Sequence, residues 1–548
     1  MATQEGRSWS HALRRPRAVL LASLLCLPAL VPLLAIVANT LTPETAVWSH
    51  LARYVLPEVI ANTLVLVVGV CVLSGALGTA LAWLTSMCEF PGRRFFDWAL
   101  LLPLAIPTYV LAFVAVGFLD YSGPLQSWLR ATFGARNWLP PIRSAGGAIV
   151  VLSLALYPYV YLLARSAFLT QGRRALEAAQ TLGVSRAAAA WRVALPLARP
   201  WLAGGIALVC METLADFGAV SIFNYNTFTT AIYRAWFGMF SVHAALELAG
   251  VLLLFVLAAL ALERSSRSGG RFASLRDAPR AEARLSMSMP ARWFATTAAT
   301  LVFALSFLLP VLQLLIWASE NIGDLDARYW GFIARSLMLA SAGALLILGA
   351  SVTLAYLERR GDTRVLRGLT RMATIGYAIP GTVLAVGILV PLIALNNVLQ
   401  EALRNWLGSS APHVLLQGTL LAVLLAYLAR FMAVGFSPVE SGLQRITRNI
   451  DEAAASLGVI GRELLVRVHL PLLRTSLATA AILVFVDVMK EMPITLLTRP
   501  PGWDTLAVRV WEMTSEGEWE RAALPAVAIV LVGLIPAALL TRRSAHVA

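Results

Sequence analysis

The feature that most limits what this chain can become is its series of apolar stretches, each long enough to cross a bilayer. Twelve recur along the sequence, at about 18–40, 60–86, 97–118, 146–167, 201–222, 244–262, 294–318, 335–357, 370–396, 414–435, 476–497 and 523–541. A helix needs about 17–25 mainly apolar residues to span the hydrocarbon core. In that medium each backbone N–H and C=O must be satisfied inside the protein, which favours helices. The expectation is an all-α polytopic membrane protein with about twelve transmembrane helices. Only 14% of the residues are charged, against roughly 25% in an average soluble domain.

The formal charge of +14 suggests a nucleic-acid partner until the arginines are located. They fall in alternate loops: Arg14, Arg15 and Arg17; Arg93 and Arg94; Arg173 and Arg174; Arg359 and Arg360; Arg542 and Arg543. The polar stretch 263–292 carries seven more. Positive loops mark the cytoplasmic side, and an even number of spans places both termini there. The charge therefore reports orientation against membrane lipid, and no nucleic acid is expected. The run after the N-terminal RRPR is long for a signal sequence and lacks an A-x-A site, so it reads as an uncleaved first helix. Cys26, Cys71, Cys88 and Cys210 are far apart in sequence, and the six histidines are scattered. Neither a disulfide framework nor a preformed His/Cys metal site is expected.

The chain repeats. EAAQTLGVSRAAAAWRVALPLARP (177–200) and EAAASLGVIGRELLVRVHLPLLRT (452–475) agree at 12 of 24 positions, at an offset of 275. The same offset pairs Arg234 and Trp236 with Arg509 and Trp511, while AIPTYVLA (105–112) pairs with AIPGTVLA (378–385) at 273. Three colinear matches indicate duplication. The expected organisation is a first transmembrane domain at 1–262, a cytoplasmic linker at 263–292 and a second transmembrane domain at 293–548. Six spans per copy make the repeats parallel, and transport sites commonly lie between such repeats.

Each repeated segment begins with a short helix ended by Gly183 or Gly458, where a left-handed residue would close it. A second helix carrying Arg192 or Arg467 follows, then Leu-Pro-Leu. The product is a helical elbow in a cytoplasmic loop, made twice. The pattern E-A-A, three residues, G, a spacer and L-P resembles the signature loop of importer permeases of the ATP-binding cassette (ABC) class. The resemblance implies a coupling helix that docks on a cytoplasmic ATPase dimer through Glu177, Ala178, Ala179 and Gly183, and through Glu452, Ala453, Ala454 and Gly458. It also implies a periplasmic or lipid-anchored substrate-binding protein and a place in the bacterial inner membrane. No Walker A loop can be written, because that loop needs Gly-Lys-[Ser/Thr] and the one lysine, Lys490, follows Met489. No cofactor is expected on this chain, and no nucleophile–base–acid arrangement is visible. The chain is read as a transport subunit, not an enzyme.

Inside the span after each elbow stand acids. ETLADFG (212–218) aligns with DVMKEMP (487–493), so Glu212 matches Asp487 and Asp216 matches Glu491. Spacing of i and i+4 predicts two carboxylates on one helical face, a turn apart. Each charge at bilayer depth costs on the order of 2.5–3.5 kcal/mol unless it is solvated or paired. Two readings stay open. In one, Lys490 pairs with Asp487 and the other acids bond to backbone or lie at the membrane edge. In the other, Glu212, Asp216, Asp487, Glu491 and Lys490 line a pathway for a cationic substrate, with a formal sum of −3.

Within ABC importer permeases, ETLADFG and DVMKEMP in one fused chain resemble the ferric-iron permeases, whose second motif reads D-V-M-K-E-L-P; this chain departs at Met492. That resemblance implies transient Fe3+ contact by Glu212, Asp216, Asp487 and Glu491. Permeases for thiamine, sulfate, molybdate and polyamines share the elbow and remain alternatives, as does a proton-coupled secondary transporter. Tyr225 and Asn226 in FNYNTFTT are candidates to touch delivered substrate, and Pro107 and Pro380 to bend the third helix of each half.

Overall fold

A computed structural model describes residues 16–134, 138–172, 179, 181–267, 287–361, 363–408, 416 and 418–545. Among these residues the fold is all-α, with eleven helices long and apolar enough to cross a membrane, or twelve if one bent pair is a single span. Each of the twelve expected spans overlaps one of these segments. They are α1 (Pro16–Leu41), α2 (Leu56–Met87), α3 (Thr108–Phe133), α4 (Ala145–Ala167), α5 (Leu195–Ala215), α6 (Val242–Arg267), α7 (Met289–Glu320), α8 (Ala327–Gly361), α9 (Gly381–Leu407), α10 (Leu420–Arg445), α11 (Arg474–Lys490) and α12 (Trp519–Ala545). The bent pair joins Arg462–Leu472 to α11 at 77°. Most of the expected linker, residues 268–286, lies outside the described residues.

The chain forms two compact units that do not follow the sequence halves. One comprises Met1–Trp48, Ile232–Gly250 and Leu325–Arg509; the other comprises Ser49–Ala231, Val251–Asp324 and Val510–Ala548. In the first unit α8, α10 and α11 pack together, and α1 lies against α9, α10 and the short helix Arg364–Thr374. In the second unit α2, α4 and α5 form the matching triplet, while α7 and α12 pack on each other and on α3. The opening helix of each sequence copy thus belongs to the unit built mainly from the other copy.

Small residues set these contacts, as expected where lipid supplies no hydrophobic driving force between helices. A Cβ on Gly78 of α2 would lie 2.7 Å from Val160 Cβ and 2.8 Å from the Tyr157 carbonyl oxygen of α4. In the first unit a Cβ on Gly435 of α10 would lie 2.8 Å from both Ile347 and Ser351 of α8. Gly387 of α9 lets α1 approach equally closely, at Pro32 and Ile36.

The third span of each copy is broken rather than bent. Short helices at Arg93–Ala99 and Leu102–Ala105 precede α3, and Arg364–Thr374 and Ile375–Ala378 precede α9. Pro107 (φ −58°, ψ 147°) and Pro380 (φ −53°, ψ 140°) stand immediately before the spanning helices, with Ile106 and Ile379 extended. The expectation of a kink inside one helix is therefore corrected. Proline lacks an N–H and excludes the helical region for the residue before it, so it starts a helix here. Carbonyls released by the break need donors. The fourth helix provides them: Tyr157 bonds the Leu100 carbonyl and Tyr161 that of Asp97, each at 3.0 Å, and Arg430 bonds those of Tyr377 and Ile379.

Candidate functional site

The second elbow is fully described. Its first limb is the helix Arg448–Ser456, and its second runs Arg462–Leu472 into α11. Gly458 has φ +79°, Val459 N–H bonds the Ala454 carbonyl at 2.9 Å, and Gly458 N–H bonds that of Ala455 at 3.0 Å. These are the paired bonds by which a left-handed glycine closes a helix. In the first elbow Glu177 and Ala178 lie outside the described residues. The closing turn is present: Gly183 has φ +80° and Val184 N–H bonds the Ala179 carbonyl at 3.0 Å. The glycine assignment thus holds at both positions.

Burial divides the motif. Ala179 and Ala454, at matching positions, are buried, whereas Glu452 and Ala453 are exposed. One residue before each glycine, Leu182 and Leu457 are 83% and 82% exposed. Both elbows thus present a leucine at the tip of a polar loop. Sequence reasoning passed them over, although both copies carry leucine there.

A second feature it missed is the anchorage of the elbow. Asp451, in the first turn of Arg448–Ser456, accepts from Arg359 Nε at 3.0 Å and Nη2 at 2.9 Å, and lies 2.8 Å from Nε2 of the buried His469. Arg359, at the end of α8, also bonds the Leu443 and Ile446 carbonyls at the end of α10. Burial alone would raise the Asp451 carboxyl; the bonds from His469 and Arg359 outweigh it and hold it below the ordinary carboxylate value. A cleft of about 510 Å³ lined by Glu358, Arg359, Glu440, Arg448, Asp451 and Glu452 opens beside this network. Arg467 pairs with Glu463 on the exposed second limb at 2.8 Å.

The intramembrane acids are not stacked on continuous helices. Glu212 lies within α5, but that helix ends at Ala215, and Asp216 is extended (φ −67°, ψ 127°) before a new short helix at Gly218–Ile222. Likewise Asp487 lies within α11, Lys490 is its last residue, and Glu491 is extended (φ −72°, ψ 115°) before Pro493–Thr498. The i, i+4 expectation is corrected in both copies, because a helix stop intervenes. Aspartate and glycine favour a fresh start at Gly218, and Pro493 opens its helix where a missing N–H costs nothing.

Asp216 is 8% exposed and fully engaged. Its Oδ1 accepts from Val220 N–H at 3.1 Å, its Oδ2 from the Thr108 hydroxyl at 2.6 Å, and its carbonyl from the Thr229 hydroxyl at 2.6 Å. Glu491 Oε1 accepts from Ile494 N–H at 2.9 Å, and its carbonyl accepts from Thr495, which also bonds Tyr427. Lys490 sits within electrostatic reach of Asp487. Tyr225 and Asn226 are spent on α2: the Tyr225 hydroxyl bonds the Asn62 carbonyl at 3.3 Å and Asn226 Nδ2 bonds Glu58 at 2.8 Å. Among the described residues no group of three or more His, Cys, Asp or Glu is placed to hold a metal ion. Cys71 and Cys210, remote in sequence, are neighbours where α2 packs on α5, and the Cys71 thiol lies 3.9 Å from the Ile206 carbonyl of α5.

With this geometry in view, the similarities to known proteins become informative. A family described as "Binding-protein-dependent transport system inner membrane component" matches residues 74–262, which hold the first elbow and its following span. The Fe(3+)-transport system permease protein FbpB 2 of Haemophilus influenzae is 26% identical over 524 residues, covering 94% of this chain and 96% of that protein. The putative ferric transport system permease protein FbpB 1 of the same organism is 25% identical, covering 86% and 76%. The sulfate transport system permease protein CysT of Escherichia coli is 30% identical over 202 residues, 36% of this chain and 69% of that protein. A relative about half as long aligns with one part of the chain, while longer relatives align with nearly all of it, as two fused copies would. The chain is a multi-pass inner-membrane protein and belongs to the binding-protein-dependent transport system inner membrane components.

Proposed function

We propose that the chain is the permease subunit of an ATP-driven importer whose cargo is ferric iron. The transport mechanism rests on one observation above others: two helical elbows closed by the same left-handed glycine, each exposing a leucine at its tip. Glu177 and Glu452, with the alanines that follow them, contact a separate cytoplasmic ATPase dimer, and Gly183 and Gly458 form the turns. The arginine-bearing loops and both termini face the same compartment. ATP chemistry belongs to the partner, since the sequence has no lysine with which to write a Walker A loop. A substrate-binding protein delivers cargo from the other side.

The cargo assignment draws on the whole-length similarity to Fe(3+)-transport permeases and on Glu212 and Asp487, the carboxylates carried within α5 and α11. Carboxylates at this depth create a negative field suited to a multivalent cation. Reconstitution tests both parts. Vesicles containing the chain, its ATPase and an iron-loaded binding protein are expected to take up iron only with ATP inside reach of the ATPase. Uptake driven by a pH gradient without the ATPase would overturn the importer reading. ATP-dependent uptake of sulfate but not iron would overturn the cargo alone.

A further inference from the structure

We propose that Asp216 and Glu491 are mechanical joints: each carboxylate ties the break after the elbow-bearing helix to the start of the third spanning helix of the same copy. This rests on the elbow reading above, and goes beyond it by assigning how elbow motion reaches the membrane interior.

The path is continuous in both copies. The first elbow runs through Arg192 into α5, which ends at Asp216; the second runs through Arg467 to α11, which ends at Glu491. Beyond each acid a short helix, Gly218–Ile222 or Pro493–Thr498, packs against α3 or α9. In the first copy the acid holds both neighbours directly. One oxygen takes the Val220 N–H of the short helix, and the other takes the hydroxyl of Thr108, the first residue of α3. In the second copy Oε1 takes the Ile494 N–H of the short helix and sits over Gly381, the first residue of α9.

The two copies reach this end by exchanging size across the contact. Thr108 and Gly381 occupy equivalent places in AIPTYVLA and AIPGTVLA. Where the acid is the shorter aspartate, the facing residue is threonine, whose hydroxyl closes the gap at 2.6 Å. Where the acid is the longer glutamate, the facing residue is glycine. A Cβ added to Gly381 would lie 3.1 Å from Glu491 Oε1, tighter than ordinary van der Waals contact, so the longer acid leaves little room for a side chain there. An acid whose only task was to attract a cation would impose no such matching on its neighbour. At Asp216, satisfaction by a backbone N–H and a hydroxyl also explains how a carboxylate is tolerated at this depth.

A neutral amide of the same shape keeps an acceptor oxygen for the N–H and can hydrogen-bond the hydroxyl. Loss of the group altogether frees the break. Asp216→Asn and Glu491→Gln are therefore expected to transport, and Asp216→Ala and Glu491→Ala to uncouple. The reconstituted complex is assayed for ATP hydrolysis and for iron uptake in the same vesicles. For each alanine variant, hydrolysis stays within about twofold of the parent while uptake per ATP falls by about tenfold, a change of roughly 1.4 kcal/mol in coupling. The size exchange supplies an arm that does not depend on alanine variants folding. Asp216→Glu and Gly381→Thr each impair uptake, and each is rescued by its partner change, Thr108→Gly or Glu491→Asp, as interacting neighbours require. Unchanged uptake per ATP in the alanine variants would overturn the proposal. So would amides as inactive as alanines, which would make the acids cargo ligands, or double variants no better than the singles. An ATPase that fails to bind even the parent chain would instead sink the elbow reading.

Discussion

Replacing Arg359 with methionine removes the clamp on the second elbow while keeping the bulk of the side chain. Arg359 makes two short bonds to Asp451 and three to the carbonyls that end α10. Breaking a fully buried pair by removing one partner costs about 3–5 kcal/mol, whereas an exposed pair contributes at most about 1 kcal/mol. The side chains here are 16% and 26% exposed, so the pair is screened but not solvated. The adjoining cleft of about 510 Å³ admits water to the released carbonyls. An intermediate cost of about 2 kcal/mol follows. A double-mutant cycle of Arg359→Met and Asp451→Asn, read by equilibrium unfolding in mixed micelles, is expected to give a coupling energy of about 1–2 kcal/mol. Uptake per ATP falls in the same variants, because the elbow loses its tie to α8. Asp451 titrates below the ordinary aspartate value in the folded chain. Its contribution is therefore complete above about pH 4, the unfolded value, and is lost as pH falls through the folded value. A coupling energy under about 0.3 kcal/mol, within the error of additivity, would refute the reasoning. Normal uptake per ATP in Arg359→Met would do the same.

Other outcomes are equally direct. Gly458→Val is expected to lose more uptake than Gly458→Asn, since nothing lies within 4 Å of the added Cβ and only the left-handed backbone is penalised, at about 1–2 kcal/mol for most residues and less for asparagine. Equal losses would contradict this. Gly78→Leu abolishes folded yield because α4 stands 2.7 Å from the new Cβ, while Gly349→Leu, with nothing within 4 Å, is tolerated; size-exclusion profiles decide. Iodine oxidation of the detergent-purified chain is expected to join Cys71 to Cys210 and leave Cys26 and Cys88 alkylatable after denaturation. Mass spectra showing all four thiols alkylated would show that the two thiols are not within bonding reach.

Much of this architecture was legible because membrane helices announce themselves by length and apolarity, and because a duplicated motif is its own control. Gly183 and Gly458 were readable for a physical reason: a left-handed closing residue narrows the choice almost to glycine. Tertiary partnership was not readable. Asp451 stands in plain view in RNIDEAAASLG, yet its meaning depends on Arg359, 92 residues earlier. The acids misled because i, i+4 spacing implies a shared face only on an unbroken helix, and both helices stop one residue short of the second acid. Pro493 was the available warning; Asp216-Phe217-Gly218 was a weaker one. The duplication also concealed that α1 and α7 belong to units built mainly from the opposite copy, since apolar periodicity says that a face is buried but not against what.

That exchange of opening helices has a consequence for biosynthesis. The surface of α9 that receives Pro32 and Ile36 follows α1 by roughly 340 residues of chain. At about 5–20 residues per second of translation, α1 waits on the order of 20–70 seconds for its packing partner. During that interval its partners within the first copy are at its last turns, where Asn39 and Thr40 meet His243 and Gly250 of α6. The first copy therefore cannot complete maturation as an independent piece, and quality control must tolerate a helix packed only near its end until the second copy emerges. Fusion of the two copies in one chain shortens that wait to a single translation event.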